Sequence, residues 1–272
     1  MNFIEKLTAI SRKHQSLLCV GLDPDPKLMP ENTDIFEFNK AIIDATCDLV
    51  CAYKPNFAFY EAMGREGLDA LKRTVAYIPE GVPIIADAKR GDIGNTSKAY
   101  AEAIFKYYKF DALTVSPYLG FDSVEPFLQY TDKCILILCR TSNAGAADFQ
   151  SLICEFEKKK LPLFEIVARK ASQWNKHGNI GLVVGATYPE ELKTIRHSYP
   201  DTPLLIPGIG AQGGDLATTV RYGVDANGER AIINSSRQIL YASKDKDFAV
   251  AARRAALAMR DQINQERTKL KK

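Results

Sequence analysis

The sequence predicts an α/β fold, a single (β/α)8 TIM barrel domain over residues 1–272 with an additional N-terminal helix. Short apolar runs of strand type alternate with segments of helical apolar spacing along the chain. About eight such pairs in a chain of this length fit one closed barrel, and no shift in composition marks a second domain. Alternation of this kind implies a parallel sheet with right-handed crossovers. Periodicity does not show closure, so a doubly wound open sheet remains the alternative.

The predicted strands are short and mostly apolar, and several end in a polar residue. In chain order they cover residues 16–23, 51–57, 82–88, 111–115, 133–138, 179–185, 203–206 and 230–234. The predicted helices have the apolar spacing of amphipathic helices, and one precedes the first strand. They cover residues 2–14, 36–50, 68–78, 93–107, 123–130, 163–177, 189–198, a segment ending near 222, and 247–264. Residues 144–160 are predicted to form a long loop.

The composition indicates a soluble globular protein and gives no sign of a nucleic-acid or membrane partner. Hydrophobic residues make up 46% and charged residues 25% of the chain, and the net charge is only +3. No apolar run approaches the ~20 residues of a membrane span, and the N-terminal segment lacks a signal-peptide core. The six cysteines form no CxxC pair and the three histidines have no metal-ligand spacing. We therefore expect a cytoplasmic protein without a bound metal or other cofactor.

The most informative stretch is residues 87–96, which follows a short apolar run and precedes a helical one. Because side chains of a strand alternate between its faces, Asp87 and Lys89 are predicted to point the same way. Asp92 lies beyond the turn at 90–91 and need not share their direction. Charges at the end of a buried strand are costly unless they compensate one another. A capped turn with solvated charges is the alternative interpretation.

Polar side chains recur at the predicted strand ends, where a barrel places its active site. The residues concerned are Asp23, Lys54, Asp87, Lys89, Ser142, Gln212 and Arg237. Lys54 lies inside a short apolar strand, so it must either extend to solvent or find a buried acid. Asp87 on the next strand is the predicted partner. The convergence of these groups predicts a functional site at the barrel mouth.

The glycine-rich stretch 207–214 matches GxGxxG at Gly208, Gly210 and Gly213. Alone it would suggest a dinucleotide site, but it follows a late strand and too little chain remains for such a domain. Loops after the seventh and eighth strands of barrels commonly bind phosphate, and here they carry Gln212 and Arg237. An arginine supplies a bidentate, permanently charged phosphate contact. A tight turn and a surface arginine are the alternative.

The chemistry that these residues favour is proton transfer at a carbon atom. A lysine lies between two acids at 87–92, and no Walker A loop, nucleophile elbow or acidic metal cluster is present. A protonated lysine beside carboxylates can stabilise a developing carbanion and then donate a proton to it. The residues themselves do not determine the substrate.

The motif Asp87-x-Lys89-x-x-Asp92-Ile93-x-x-Thr96 resembles the signature of the orotidine 5′-phosphate decarboxylase family. The resemblance extends over nearly the whole chain. It includes Gly21-Leu-Asp23, Lys54, Thr141-Ser142-Asn143, Pro207-Gly-Ile-Gly-Ala-Gln212 and Ser236-Arg237. The chain length and the residues at 90–96 and 234–237 resemble those of the type 2 subgroup of that family.

This resemblance implies a barrel homodimer that converts orotidine 5′-phosphate (OMP) to UMP and CO₂, the last step of de novo pyrimidine nucleotide synthesis, without metal or cofactor. It implies that Lys89 donates a proton to C6 of the pyrimidine, that Asp87 lies against the substrate carboxylate and that Lys54 completes the charged array. Asp92 and Thr96 would reach the partner subunit's site. The implied substrate-binding residues are Asp23 at the ribose, Ser142 at the ring, Gln212 and Arg237 at the phosphate, Ile93, and Pro207 in a loop that closes over the ligand.

Two other functions fit the same residues. Sugar-phosphate synthases and metal-dependent aldolase-like enzymes of related barrels share the Asp-x-Lys pair and the phosphate loop, and they generally need a divalent metal. A phosphate-ligand sensor on the same barrel would bind UMP without turnover.

Overall fold

The fold is a (β/α)8 barrel, as the computed structural model of the chain shows for residues 1–209 and 213–270. Within these residues there are ten strands. They are β1 (Leu18–Leu22), β2 (Ala52–Pro55), β3 (Ile85–Arg90), β4 (Ala112–Val115), β5 (Cys134–Arg140), β6 (Ile153–Phe156), β7 (Lys159–Pro162), β8 (Ile180–Val184), β9 (Leu204–Ile206) and β10 (Ala231–Ser235). The predicted fold class is confirmed.

Helices follow the barrel strands and pack around the sheet. They are α1 (Phe3–Lys13), α2 (Ile35–Thr46), α3 (Phe57–Glu61), α4 (Gly64–Tyr77), α5 (Gly94–Glu102), α6 (Phe121–Leu128), α7 (Leu163–Trp174), α8 (Pro189–Ser198), α9 (Leu216–Gly223), α10 (Arg237–Leu240) and α11 (Phe248–Lys269). The predicted N-terminal helix is α1, which begins with a capping box between Asn2 and Glu5. None of the helices in the described ranges is long and apolar enough to cross a membrane.

The barrel sheet has eight strands in the order β2-β1-β10-β9-β8-β5-β4-β3, and all its ladders are parallel. Its two outer strands meet through isolated parallel bridges, Tyr53 with Ile84 and Asn56 with Asp87. The backbone N–H of Tyr53 also donates to the carbonyl of Pro83 at 3.0 Å. These contacts close the sheet on itself, which excludes the open doubly wound alternative.

The core fills the barrel and the layer between sheet and helices. Strands β1, β8 and β10 are buried along their whole length, as expected for parallel strands covered on both faces. This burial explains why the strands were recognisable as continuous apolar runs.

The predicted long loop at 144–160 is wrong in part. Residues Ala144–Asp148 form a 3-10 turn, and β6 and β7 pair as an antiparallel hairpin after it. The hairpin turns at Glu157 and Lys158, whose φ angles are 50° and 64°. Such positive φ angles are uncommon for residues other than glycine. Because Glu and Lys occupy this turn, the sequence lacks the Gly or Asn-Gly pair that usually indicates a hairpin.

Candidate active site

A cavity of about 770 Å³ opens at the carboxyl ends of the barrel strands. The structure brings most of the predicted site residues to its wall. They are Asp23, Lys54, Asp87, Lys89, Ser142, Pro207 and Arg237. Gln212 lies outside the described residues. A cavity of this size accommodates a nucleotide-sized ligand, since small-molecule sites commonly measure about 300–1,000 Å³.

Asp87 is the centre of a charged array at one side of the cavity. Its Oδ2 accepts from Lys54 Nζ at 2.7 Å, and its Oδ1 accepts from Lys89 Nζ at 2.5 Å. The Lys54 side chain is only 5% exposed and that of Asp87 11%, whereas Lys89 is 51% exposed. The predicted partnership of Lys54 with Asp87 is therefore present. One lysine is fixed inside the wall, and the other extends into the cavity.

The array is ionised because its charges compensate one another. Burial alone would raise the pKa of Asp87, but the charges of Lys54 and Lys89 and their hydrogen bonds outweigh burial and hold that pKa well below its usual range. Burial alone would lower the pKa of Lys54, but the negative charges of Asp87 and Asp23 outweigh it and raise that pKa above its usual value. The site therefore presents fixed charges at neutral pH.

Lys89 reaches Asp87 from an unusual backbone position. Its φ angle is 44°, and the register between β3 and β4 shifts between Ala86 and Arg90. The hydroxyl of Thr114 on β4 accepts the backbone N–H of Ala88 at 3.1 Å and of Lys89 at 2.9 Å. Residues held in sparsely populated backbone regions concentrate at functional sites. Thr114 thus holds the bulge that aims the Lys89 side chain.

Asp23 lies just beyond β1 and also faces the cavity. Its Oδ1 is buried, and no hydrogen-bond partner for it occurs among the described residues. A Cβ on Gly21 would lie 1.9 Å from the hydroxyl oxygen of Ser236, so glycine is required there for the two strands' ends to meet. An unpaired buried carboxylate oxygen is expensive and therefore indicates a missing donor, such as a ligand hydroxyl.

The opposite side of the cavity is suited to an anion. Arg237 begins α10, directly after β10, and its side chain is exposed at the mouth. The neighbouring loop after β9 turns at Gly208, whose φ is 101°, and the backbone N–H of Gly214 donates to the carbonyl of Gly208 at 3.1 Å. A Cβ at Gly214 would meet that carbonyl oxygen at 2.7 Å. The glycines therefore permit a tight loop beside Arg237.

Asp92, Ile93 and Thr96 do not line the cavity of their own chain. They follow the end of β3 at the start of α5, where Ile93 is 55% exposed and Thr96 is also exposed. The backbone N–H of Ile93 donates to the Asp92 carboxylate at 2.8 Å. The structure thus separates the signature stretch into an inward pair, 87 and 89, and an outward set, 92 to 96.

Sequence reasoning missed several cavity residues, among them Asn56, Thr114, Gln150, Asn234 and Tyr241. Gln150 comes from the segment predicted as a loop, and its amide pairs with Thr141 through the backbone N–H and the hydroxyl, both at 2.8 Å. Strand alternation could have identified Thr114, since it points to the same side of β4 as the cavity. No local pattern indicated Gln150 or Tyr241, because both are brought in by the tertiary fold.

The arrangement joins a buried carboxylate, an ammonium group that extends into the cavity and an anion site. Positive charge held beside the position of a developing carbanion stabilises it without reorganisation. Within the described residues, histidine, cysteine and carboxylate side chains do not gather in groups of three that could hold a metal ion.

Comparison with known proteins identifies the family of the chain. The model of the orotidine 5′-phosphate decarboxylase / HUMPS family matches residues 16–254. A protein from Dehalococcoides mccartyi named orotidine 5′-phosphate decarboxylase is 58% identical over 267 residues, which is 98% of this chain and 99% of that protein. A protein of the same name from Ralstonia pickettii is 54% identical, and the match covers 98% of this chain and 100% of that protein.

Solved structures give the same result. The structure of Leishmania donovani OMP decarboxylase has a TM-score of 0.87 and 40% sequence identity, and the match covers 98% of this chain and 100% of that one. The three findings indicate one family: the family model matches most of the chain, the relatives match nearly its whole length, and the solved structure has the same barrel. This chain therefore belongs to the orotidine 5′-phosphate decarboxylase / HUMPS family.

Proposed function

We propose that this protein decarboxylates OMP to UMP and CO₂, the last step of de novo pyrimidine nucleotide synthesis, without a metal or other cofactor. The observation that carries the proposal is the Lys54–Asp87–Lys89 array inside a nucleotide-sized cavity. Its relatives at 58% and 54% identity are named for this activity.

The proposed chemistry needs one bond to break and one to form. The C6–carboxylate bond of OMP breaks, CO₂ leaves, and the electron pair remains on C6. The Lys89 ammonium group then gives its proton to C6, which yields UMP. Asp87 lies against the departing carboxylate, and Lys54 keeps Asp87 in place. Because fixed positive charge favours the carbanion over the ground state, the array lowers the barrier of the first step.

The remaining cavity residues are proposed to hold the nucleotide. The unpaired Asp23 carboxylate oxygen accepts from ribose hydroxyls, which supply the missing donor. Ser142 contacts the pyrimidine ring, and Arg237 holds the 5′-phosphate together with Gln212, with Pro207 in the adjacent closing loop. Binding energy from the phosphate, remote from C6, is available to position the reacting carbon.

The active unit is proposed to be a homodimer in which Asp92, Ile93 and Thr96 complete the partner's site. Their outward position at the start of α5, away from their own cavity, supports this. A second copy placed against this face would bring an acid and a hydroxyl to the open side of the other cavity.

Mixing two inactive variants tests the shared site. Subunits with Lys89→Ala and subunits with Asp92→Ala are each expected to be nearly inactive. In their heterodimer one site carries both lesions and the other carries neither, so an equimolar mixture should recover about a quarter of the wild-type activity. Kinetics after subunit exchange measures the recovery. No recovery, with exchange proven by mass spectrometry of tagged subunits, would refute a role of Asp92 across the interface.

Incubating the purified protein with OMP and following the loss of OMP absorbance tests the activity itself. Turnover is expected to persist in excess EDTA. The second candidate, a metal-dependent sugar-phosphate synthase on a related barrel, would not release CO₂ from OMP. Tight UMP binding without turnover would instead indicate a sensor.

Three finer assignments belong to this proposal. The residues at 90–96 and 234–237 support the type 2 subgroup. The continuous core supports a single domain over residues 1–272. All six cysteines are unpaired thiols, as is usual in reducing compartments, which supports a cytoplasmic location.

A further inference from the structure

Tyr241 connects two parts of the cavity that are far apart in sequence. It lies directly after α10, and its backbone N–H donates to the carbonyl of Arg237 at 3.1 Å. Its side-chain hydroxyl extends to the loop after β1, where it donates to the carbonyl of Asp23 at 2.8 Å and accepts from the N–H of Asp25 at 2.7 Å. One residue thus touches the backbone at both ends of the site.

The loop after β1 is held by the Tyr241 hydroxyl and by hydrogen bonds within the loop, in which the N–H groups of residues 27–29 donate to Asp25. Pro24 and Pro26 have no N–H, so Asp25 supplies the single backbone donor of residues 24–26, and the Tyr241 hydroxyl takes it. The hydroxyl satisfies a donor and an acceptor of the same loop simultaneously. Without it, both backbone groups of this half-buried loop would lose their partners.

The ring of Tyr241 is itself held from behind. It stacks on Phe38 with 6.0 Å between centroids, and Phe38 stacks on Phe248 of α11 at 5.2 Å. Burial raises the pKa of Tyr241 to about 12, so the hydroxyl keeps its proton at neutral pH. The side chain is therefore a rigid, neutral connector between α10 and the β1 loop.

We infer that Tyr241 is a positioning residue that couples the phosphate contact of Arg237 to the ribose contact of Asp23. This inference rests on the proposed function, which assigns those two contacts. A shift of α10 as Arg237 engages the phosphate is transmitted through the Tyr241 side chain to the backbone of Asp23. The Asp23 carboxylate, whose buried oxygen has no partner among the described residues, is then held where the ribose hydroxyls bind.

The test measures whether the two contacts depend on each other. We compare kcat/KM for OMP in Asp23→Asn, in Arg237→Ala and in the double variant, and repeat the set in a Tyr241→Phe background. With Tyr241 present, the combined loss is expected to be at least about threefold smaller than the product of the single losses. With Tyr241→Phe, the losses should multiply, because the phenylalanine keeps the ring stacking but cannot bridge.

Tyr60→Phe is the matched control. The Tyr60 hydroxyl donates to the carbonyl of Leu22 at 2.9 Å, at the base of the same loop, but Tyr60 does not line the cavity, and among the described residues its hydroxyl makes no hydrogen bond with α10. Its background should keep the non-additivity. Equal non-additivity in the Tyr241→Phe background, or its loss in both backgrounds, would overturn the inference. Absence of OMP turnover by the wild-type protein would instead refute the proposed function.

Discussion

The Lys89→Ala variant is expected to lose decarboxylation, with kcat lower by about 10⁴-fold or more. The lysine supplies both the proton for C6 and the positive charge nearest the developing carbanion, and losses of this size follow when acid and electrostatic roles are removed together. The fold should persist, because Asp87 keeps its pair with Lys54 at 2.7 Å and the Lys89 side chain is 51% exposed.

Two measurements accompany the kinetics of Lys89→Ala. Titration calorimetry with UMP should show product binding within a few-fold of wild type, because the phosphate and ribose contacts remain. Lys106→Ala is the matched control, since Lys106 also pairs with a carboxylate, Glu102 at 3.2 Å, but on the outer surface. Its activity should be unchanged. Near-normal turnover by Lys89→Ala would be incompatible with the proposed mechanism.

The Asp87→Asn variant is expected to lose stability as well as activity. It leaves the Lys54 ammonium group buried without its carboxylate, and removing one partner of a buried pair costs about 3–5 kcal/mol of unfolding free energy. Urea unfolding followed by circular dichroism measures the loss. Asp48→Asn, which breaks the exposed pair of Asp48 with Arg253, should cost no more than about 1 kcal/mol.

A double variant separates the two effects of Asp87. Lys54→Met with Asp87→Leu replaces the buried pair by apolar groups of similar size and should restore most of the stability lost in Asp87→Asn. It should remain inactive, since the charged array is gone. If Asp87→Asn unfolds like the wild type, the pair is not the buried contact that the structure indicates.

Much of the fold could be predicted because a parallel barrel imposes regular signals. The eight barrel strands and the N-terminal helix could be found from apolar runs and helical spacing, since most barrel strands are buried along their whole length. One-turn helices such as α3 and α10 were missed, because a few residues cannot show a helical period. The hairpin of β6 and β7 was missed because its turn uses Glu157 and Lys158 instead of glycine.

The site could be predicted where the type of a single residue indicates the partner that it needs. Lys54 and Asp87 could be paired from sequence, since a buried lysine requires an acid. The positive φ of Lys89 and its contact with the Thr114 hydroxyl could not be predicted from sequence, because they depend on a register shift between β3 and β4. The position of Tyr241 in the cavity could not be predicted either, because its hydroxyl contacts residues more than 200 positions earlier in the chain.

The pairing of β2 with β3 has a consequence for how this fold and its chemistry constrain each other. The barrel wall has a seam there, fastened by two isolated bridges instead of a continuous ladder. Asp87 takes part in one of those bridges, and its carboxylate holds Lys54 across the same gap. The ion pair of Lys54 with Asp87 thus lines the cavity and also joins β2 to β3. A substitution of Lys54 or Asp87 would therefore weaken the closure of the barrel as well as the proposed catalysis. Selection for stability and selection for activity would both conserve this pair.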